Sequence, residues 1–425
     1  MRILIISYHF APQNVIGAIR PTKLAKYLSR QGHEVTVLCG KGFSEVEDPI
    51  LLNDSKEVAY VHTIEEVNLI RMYQKKGQQF KSVTMPADGE KSTKKSMKLK
   101  CIDKAYRVLR AMSDRSFERK ACNLVRTLQP FDWVFSSYGP LSVHRIAKYA
   151  KEKGIAAHWI ADFRDEVSTA LTGSEEKKQK YLREVAKYSD KMTAVSHGVM
   201  ASLAGESTWI PNGFDTEDTK HVVLTENLTY PPYRFVHAGQ FAGSENALKP
   251  IFEAFAWLCE NNKVKKEELL FEYAGRAFPI FQSFAKRYGF EGNLYNHGLL
   301  TRDNSLRLQL ESTALLAVSK NNESAKGILT GKMLEYLMAN KPIICSVEGK
   351  LSGSETKRLL STTGRGFCYE EACAKEDFPL LCDYLRKVME CSKNGVAFWE
   401  GKTDDEVAGF RYENLAKKLE SLMKA

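Results

Sequence analysis

"RILIISYHFAPQNVIGAIRPTKLAKYLSRQGHEVTVLCG", Arg2 to Gly40, decides the fold. It opens on a short apolar run rich in isoleucine and passes through a loop containing Pro12 and Gly17. A helical pattern, "AIRPTKLAKYLSRQG", follows, and after Gly32 the stretch "HEVTVLCG" reads as a second strand. Strand, loop, helix and strand in that order form the unit of an open parallel sheet. The alternation continues with "FDWVFSS", "AAHWIADF" and "KMTAVS" as strands and "LSVHRIAKYAKEKG" as a helix, until "STWIPNGFD" closes this half.

The pattern then starts again. "YRFVHAG" is a strand, "QFAGSENALKP" a loop and "IFEAFAWLCENN" a helix, with "LLFEYAG", "NLYNHG", "ALLAVS" and "KPIICSV" as later strands. The join lies near "DTEDTKHVVLTENLTYPPY", which is polar, contains Pro231 and Pro232 and lacks periodicity. The expected fold class is α/β, with two doubly wound domains facing across a cleft. Residues 1–214 form the first, joined by a C-terminal helix at 405–425, and residues 215–404 form the second. Sheets of this kind bind ligands beyond the carboxyl ends of their strands.

Composition narrows the partners. The chain has 425 residues, 43% of them hydrophobic, and a formal net charge of +10, enough apolar content for large ordered cores. The positive balance points to an anionic partner. The opening run "MRILIISYHF" is too short for a secretory signal and suits a buried strand. No uninterrupted apolar stretch is long enough to cross a bilayer. The nine cysteines are scattered without a CxxC pair, which reads as reduced thiols in a cytosolic protein. Residues 91–126 carry twelve Lys and Arg against Asp103, Asp114 and Glu118, interleaved with Tyr106, Val108, Leu109 and Met112. That segment reads either as a basic amphipathic helix for an anionic membrane surface or as a solvated helix.

"GILTGKMLEYL", Gly327 to Leu337, carries the chemistry. It reads as a loop feeding a helix whose apolar face is Met333, Leu334, Leu337 and Met338. Lys332 stands near the helix start, where the dipole disfavours a cation. One reading pairs it with Glu335 at i,i+3. The other makes the helix start an anion site, with Gly331 admitting close approach, Thr330 offering a hydroxyl and Lys332 an ammonium. A Walker A motif is excluded, because Gly327 to Gly331 is one residue short and Met333 follows the lysine. A dinucleotide fingerprint is absent after "RILIIS", where Gly17 stands alone.

"TGKMLEYLMANKPII" resembles the nucleotide-sugar motif of family 4 retaining glycosyltransferases, which have the GT-B fold. The segments "SSYGPLSVHRIAKYAKEKGIAAHWIADFRD", "SDKMTAVSHGV", "WIPNGFD" and "FVHAGQF", together with the opening stretch, are similar to that family in the expected order. The resemblance leaves out roughly residues 45–125 and the tail. It implies that Lys332 contacts a donor diphosphate and that Glu335 holds the ribose hydroxyls. Gly17 and Arg20 in the first domain, and Gly239, Gln240, Thr330 and Gly331 in the second, would complete the donor site. "DFRD", with Asp162, Arg164 and Asp165, would lie beside acceptor and sugar. Residue-level alternatives stay open: Gly17 as an ordinary turn glycine, and Arg164 as a clamp bridging the two aspartates. Asn212-Gly213 reads as a hinge turn.

The sequence departs from the family at Gly17-Ala18 and at Glu166-Val167. It also departs at Gln240, where many relatives are basic, and at Gly327, where many carry a glutamate. The resemblance implies a metal-independent, cofactor-free enzyme that takes a nucleotide sugar as substrate and a lipid-linked or surface glycan as acceptor. No nucleic-acid partner is expected. The expected location is the cytoplasm, peripheral on the inner face of the membrane. A catalytically silent glycan- or partner-binding protein and a nucleotide-sugar epimerase are the alternatives.

Overall fold

The computed structural model describes residues 1–42, 47–65, 97–224, 229–241, 244–323, 327, 329–396 and 404–425, with the side chains of 97–107 excepted. The described chain divides into two compact units, residues 1–212 with 412–425, and residues 213–411.

The first unit is built on a seven-stranded parallel sheet. Its strands are β1 (Arg2–Ser7), β2 (Glu34–Gly40), β3 (Tyr60–Ile64), β4 (Phe131–Ser137), β5 (Ala156–Phe163), β6 (Lys191–Ala194) and β7 (Thr208–Trp209). Their order across the sheet is β3-β2-β1-β4-β5-β6-β7. The winding therefore reverses between β1 and β4. Both faces of β1 are buried: Ile3 and Ile5 enter one cluster, Leu4 and Ile6 another. This is why parallel strands read as unbroken apolar runs. Helix α1 (Ile16–Arg30) packs Leu24, Ala25 and Leu28 on one face. The C-terminal helix Tyr412–Lys424 adds Leu415, Leu419 and Met423 to the same cluster. On the other face α2 (Met97–Val125) contributes Phe117, Ala121 and Val125, and α3 (Ser142–Glu152) contributes Val143, Ile146 and Ala147.

The second unit repeats the topology. Its six strands are β8 (Tyr233–Ala238), β9 (Leu269–Ala274), β10 (Leu294–Gly298), β11 (Ala314–Lys320), β12 (Ile343–Glu348) and β13 (Gly366–Glu370), ordered β10-β9-β8-β11-β12-β13. The switch point lies between β8 and β11. One aromatic cluster dominates the core: Phe235 meets Phe255 at 4.5 Å, and Phe255 meets Phe271 edge-on at 4.9 Å. Phe255 belongs to α4 (Leu248–Glu260). Each fully buried ring of this kind contributes roughly 1.5–3 kcal/mol.

The segment read as the join is part of the second unit, where Thr216–Thr219 forms a short 3-10 helix, and residues 225–228 lie outside the described residues. Among the described residues, no helix is long and apolar enough to cross a membrane, and eight cysteines are free. Of the basic segment 91–126, residues 91–96 and the side chains of 97–107 lie outside the described residues. On the rest of α2, Val108 and Met112 are 52% and 51% exposed. Ala111, Arg115 and Arg119 are exposed too, and all five fall on one side at helical spacing.

Candidate functional site

At the switch point of the second sheet, β8 ends at Ala238 and the chain turns at Gly239, whose φ is +109°. Only glycine adopts such a conformation without strain. The turn is held by two bonds to β9 and its end: the Gly239 amide donates to the Ala274 carbonyl at 2.7 Å, and the Tyr273 hydroxyl donates to the Gly239 carbonyl at 2.9 Å. A Cβ at Gly239 would lie 3.1 Å from Lys332 Cε and 3.2 Å from its Nζ. The glycine thus makes room for Lys332 as well as for the turn.

Lys332 is the second residue of α6 (Gly331–Ala339). The helix buries Met333, Leu334, Tyr336, Leu337 and Met338, and ends on Asn340 in the left-handed region at φ +51°. Tyr336 ties it to both strands of the switch point, accepting from the Ala238 amide at 2.9 Å and donating to the Leu316 carbonyl at 3.3 Å. Thr330 precedes the helix in extended conformation and its side chain makes no cap hydrogen bond. Among the described residues, the Gly331 and Lys332 amides have no hydrogen-bond partner. An uncapped helix start with free amides attracts anions.

The Lys332 ammonium reaches the turn at the end of β8. Its Nζ is 3.0 Å from His237 Nε2 and donates to the Gln240 carbonyl at 2.9 Å. Among the described residues it makes no ion pair with Glu335, so the i,i+3 pairing is absent. Burial pulls its pKa down to about 8, opposed by the charge of Glu335 and by Cys345. His237 lies wholly buried beneath, and burial, with the lysine's charge added, holds its pKa well below the ordinary value. Glu335 accepts from Gln309 Nε2, a buried side chain on α5 (Arg302–Leu310). Gln240 itself is exposed, and its main-chain carbonyl rather than its side chain serves the site. Gly327 has φ +78°.

The first unit treats its expected site residues differently. Arg20, expected as a second cation of the donor site, is buried and forked onto Asp162, with Nε–Oδ2 at 3.0 Å and Nη2–Oδ1 at 2.7 Å. It also donates to the carbonyls of Pro211 and Ile210. Asp162 accepts further bonds from Ser137 and Thr193 at 3.0 and 2.8 Å. Each Asp162 oxygen takes two of these bonds, and among the described residues four of the five Arg20 N–H groups are used within the first unit.

Gly17 lies inside the first turn of α1. Pro21, four residues on, has no amide to give the Gly17 carbonyl. Arg164 Nη1 takes that carbonyl instead, at 2.6 Å. A Cβ at Gly17 would fall 2.5 Å from that same nitrogen. Arg164 also donates to the Tyr138 and Gly139 carbonyls at 2.7 and 3.4 Å. It clamps three chain segments, and it is Arg20, not Arg164, that holds Asp162. Asp165 remains open, with its side chain 77% exposed and 3.9 Å from Arg164.

Sequence reasoning missed His237, Gln309, Tyr336 and Tyr273. The signal for His237 was present: it continues the Tyr233, Phe235 alternation, a polar ring at a core position just before the turn glycine.

No protein-family model matches the chain, and no curated protein matches it by sequence. Solved structures do match its fold. The N-terminal domain of Candida albicans trehalose-6-phosphate phosphatase aligns with a TM-score of 0.64 at 13% identity, over 100% of this chain and 96% of that one. A trehalose-6-phosphate structure from E. coli, bound with UDP-2-fluoro glucose, aligns at 0.61 and 12% identity, over 100% and 99%. The lipopolysaccharide outer core galactosyltransferase WaaB aligns at 0.55 and 15% identity, over 100% and 99%. With two doubly wound parallel-sheet units and these neighbours, the chain has the GT-B fold.

Proposed function

We propose that the protein is a retaining glycosyltransferase that moves a sugar from a nucleotide-diphosphate sugar to a lipid-linked or surface-glycan acceptor, and that it belongs to family 4. The observation carrying this reading is the start of α6 at the switch point of the second sheet, with two amides free, a threonine that makes no cap bond and a lysine with no carboxylate partner among the described residues. A diphosphate fits that donor set, since backbone amides and an ammonium neutralise it together. Charge growing on the leaving diphosphate would be stabilised by Lys332 and the helix start. Glu335, held by Gln309, would take the ribose hydroxyls. Support also comes from two neighbours of the same fold, one bound with UDP-2-fluoro glucose and the other a galactosyltransferase. The first domain would hold the acceptor, with Asp165 as its exposed carboxylate. The protein would work in the cytoplasm, against anionic membrane, through the basic and apolar face of α2.

Titration of nucleoside diphosphates against the wild type, Lys332→Ala and Glu335→Gln tests the donor site. Loss of a hydrogen bond to a charged group costs roughly 1.5–3 kcal/mol, so Lys332→Ala should bind about ten- to a hundredfold more weakly. Glu335→Gln should weaken the nucleoside part, free nucleoside included. Unchanged affinities in both variants would remove the reading.

A second reading has one specific observation in its favour. Arg20, Asp162, Gly17 and Arg164 are engaged within the first unit, as they would be in a binding protein without turnover. Slow release of free nucleotide from a donor panel separates the two, because a silent binder releases none. An epimerase would convert the sugar without that release.

A further inference from the structure

His237 is a polar ring at a position where an apolar one would pack without cost. It is wholly buried at the end of β8, stacked parallel to Tyr273 at 5.7 Å and against Phe241 at 4.6 Å. Its Nδ1 makes no hydrogen bond of good geometry, although the Leu316 and Gln240 carbonyls lie close enough to the ring to act on it, and a poorly satisfied buried polar atom is destabilising. Its Nε2 faces Lys332 Nζ at 3.0 Å. An ammonium only donates, so Nε2 must accept and the ring proton must sit on Nδ1. The ring is arranged for the lysine at the expense of its own second nitrogen.

Accepting the diphosphate reading of the α6 start, we propose that His237 is a positioning residue: its Nε2 accepts a hydrogen bond from the Lys332 ammonium and aims that ammonium at the bound anion. The groups that face Lys332 leave it few alternatives. Glu335 acts on it from the same helix and Cys345 from β12, neither within ion-pair distance among the described residues. The Gln240 carbonyl is its other acceptor. Remove the imidazole acceptor, and the ammonium keeps one bond, swings freely and is harder to keep charged in a site where burial already brings it to about 8.

The pairing has a pH signature. Lys332 is charged below its pKa and neutral above it, so anion affinity is full at lower pH and falls as pH rises through about 8. In His237→Phe the ammonium loses a stabilising acceptor, and the midpoint should move to lower pH. In His237→Gln the amide oxygen supplies an acceptor near the Nε2 position, and the midpoint should stay near the wild-type value. A role confined to packing the core would leave the midpoint in place in both variants.

The test uses the full chain with 13Cε-labelled lysine, Lys332→Ala identifying the resonance, and inorganic pyrophosphate as the probe. The expected results are a wild-type midpoint near 8, a lower one in His237→Phe, and a wild-type one in His237→Gln. Pyrophosphate affinity at neutral pH should fall about tenfold in His237→Phe, the loss of one charged hydrogen bond, and recover in His237→Gln. If His237→Phe does not fold, the wild-type ring answers by itself: its 15N shifts should report the Nδ1-protonated tautomer, and an Nε2-protonated ring would overturn the proposal. So would an unmoved Lys332 midpoint in a folded His237→Phe that binds pyrophosphate as the wild type does. Failure of the wild type to bind pyrophosphate or nucleoside diphosphates would overturn the diphosphate reading itself.

Discussion

The two sheets share one strand order through their first six positions, yet their switch points are chemically opposite. At the first, between β1 and β4, the buried Arg20, Asp162 and Arg164 are answered from within. Arg20 is forked onto Asp162, and the carbonyl that Pro21 leaves free on Gly17 is taken by Arg164. At the second, between β8 and β11, the first two amides of α6 have no partner among the described residues, and the Lys332 ammonium rests on two neutral acceptors, His237 Nε2 and the Gln240 carbonyl. Topology makes a crevice available in both places. Side chains decide how each one is lined.

The strongest way to break this comparison is through the buried pair. Arg20→Ala leaves Asp162 charged and buried without its partner, and such losses cost about 3–5 kcal/mol. Urea unfolding of the variant should show that drop, whereas Lys332→Ala should unfold at nearly the wild-type midpoint. An Arg20→Ala protein as stable as the wild type would mean that the first switch point is not self-contained.

The glycines sharpen the contrast at a smaller scale. Gly17→Ala drives a methyl into the Arg164 guanidinium, and overpacking of this kind costs about 1–3 kcal/mol. Thermal melting should record it, with diphosphate affinity preserved in the folded fraction. Gly239→Ala places its methyl against Lys332 and strains a φ of +109°. It should lower diphosphate affinity as well as stability. Equal effects of the two substitutions on affinity would erase the difference between the two crevices.

The exposed face of α2 gives the smallest effect. Each basic residue near an anionic surface contributes about 1 kcal/mol, weakened by salt. Arg115→Glu with Arg119→Glu should lower co-sedimentation with phosphatidylserine vesicles and leave soluble diphosphate binding alone. Equal binding of the wild type to neutral and anionic vesicles would contradict a membrane role for that face.

Much of the fold was legible because parallel strands buried on both faces write themselves as apolar runs. β1, β2, β4, β5, β8, β9, β11 and β12 are all of that kind. β3 was missed because most of it is exposed, and β7 because it is two residues long. β13, "GFCYE", follows a helix end without an apolar run. For the site, α6 and Lys332 were readable because helix start, glycine and lysine are neighbours in sequence. The partners were not: His237 is 95 residues from Lys332, and Asp162 is 142 from Arg20. A basic residue at a strand-helix junction looks the same in sequence whether a ligand or a distant aspartate awaits it. Pro21 was the one local hint, since a proline inside a helix frees the carbonyl four residues back.

Backbone hydrogen exchange with and without a nucleoside diphosphate tests the central claim most directly. Protection is expected at the amides of 331–335, and at 237–241 where Lys332 is anchored, with no change at 15–20 or 162–165. Protection at 15–20, with the α6 start unchanged, would place the anion at the crevice of the first sheet and would contradict the account.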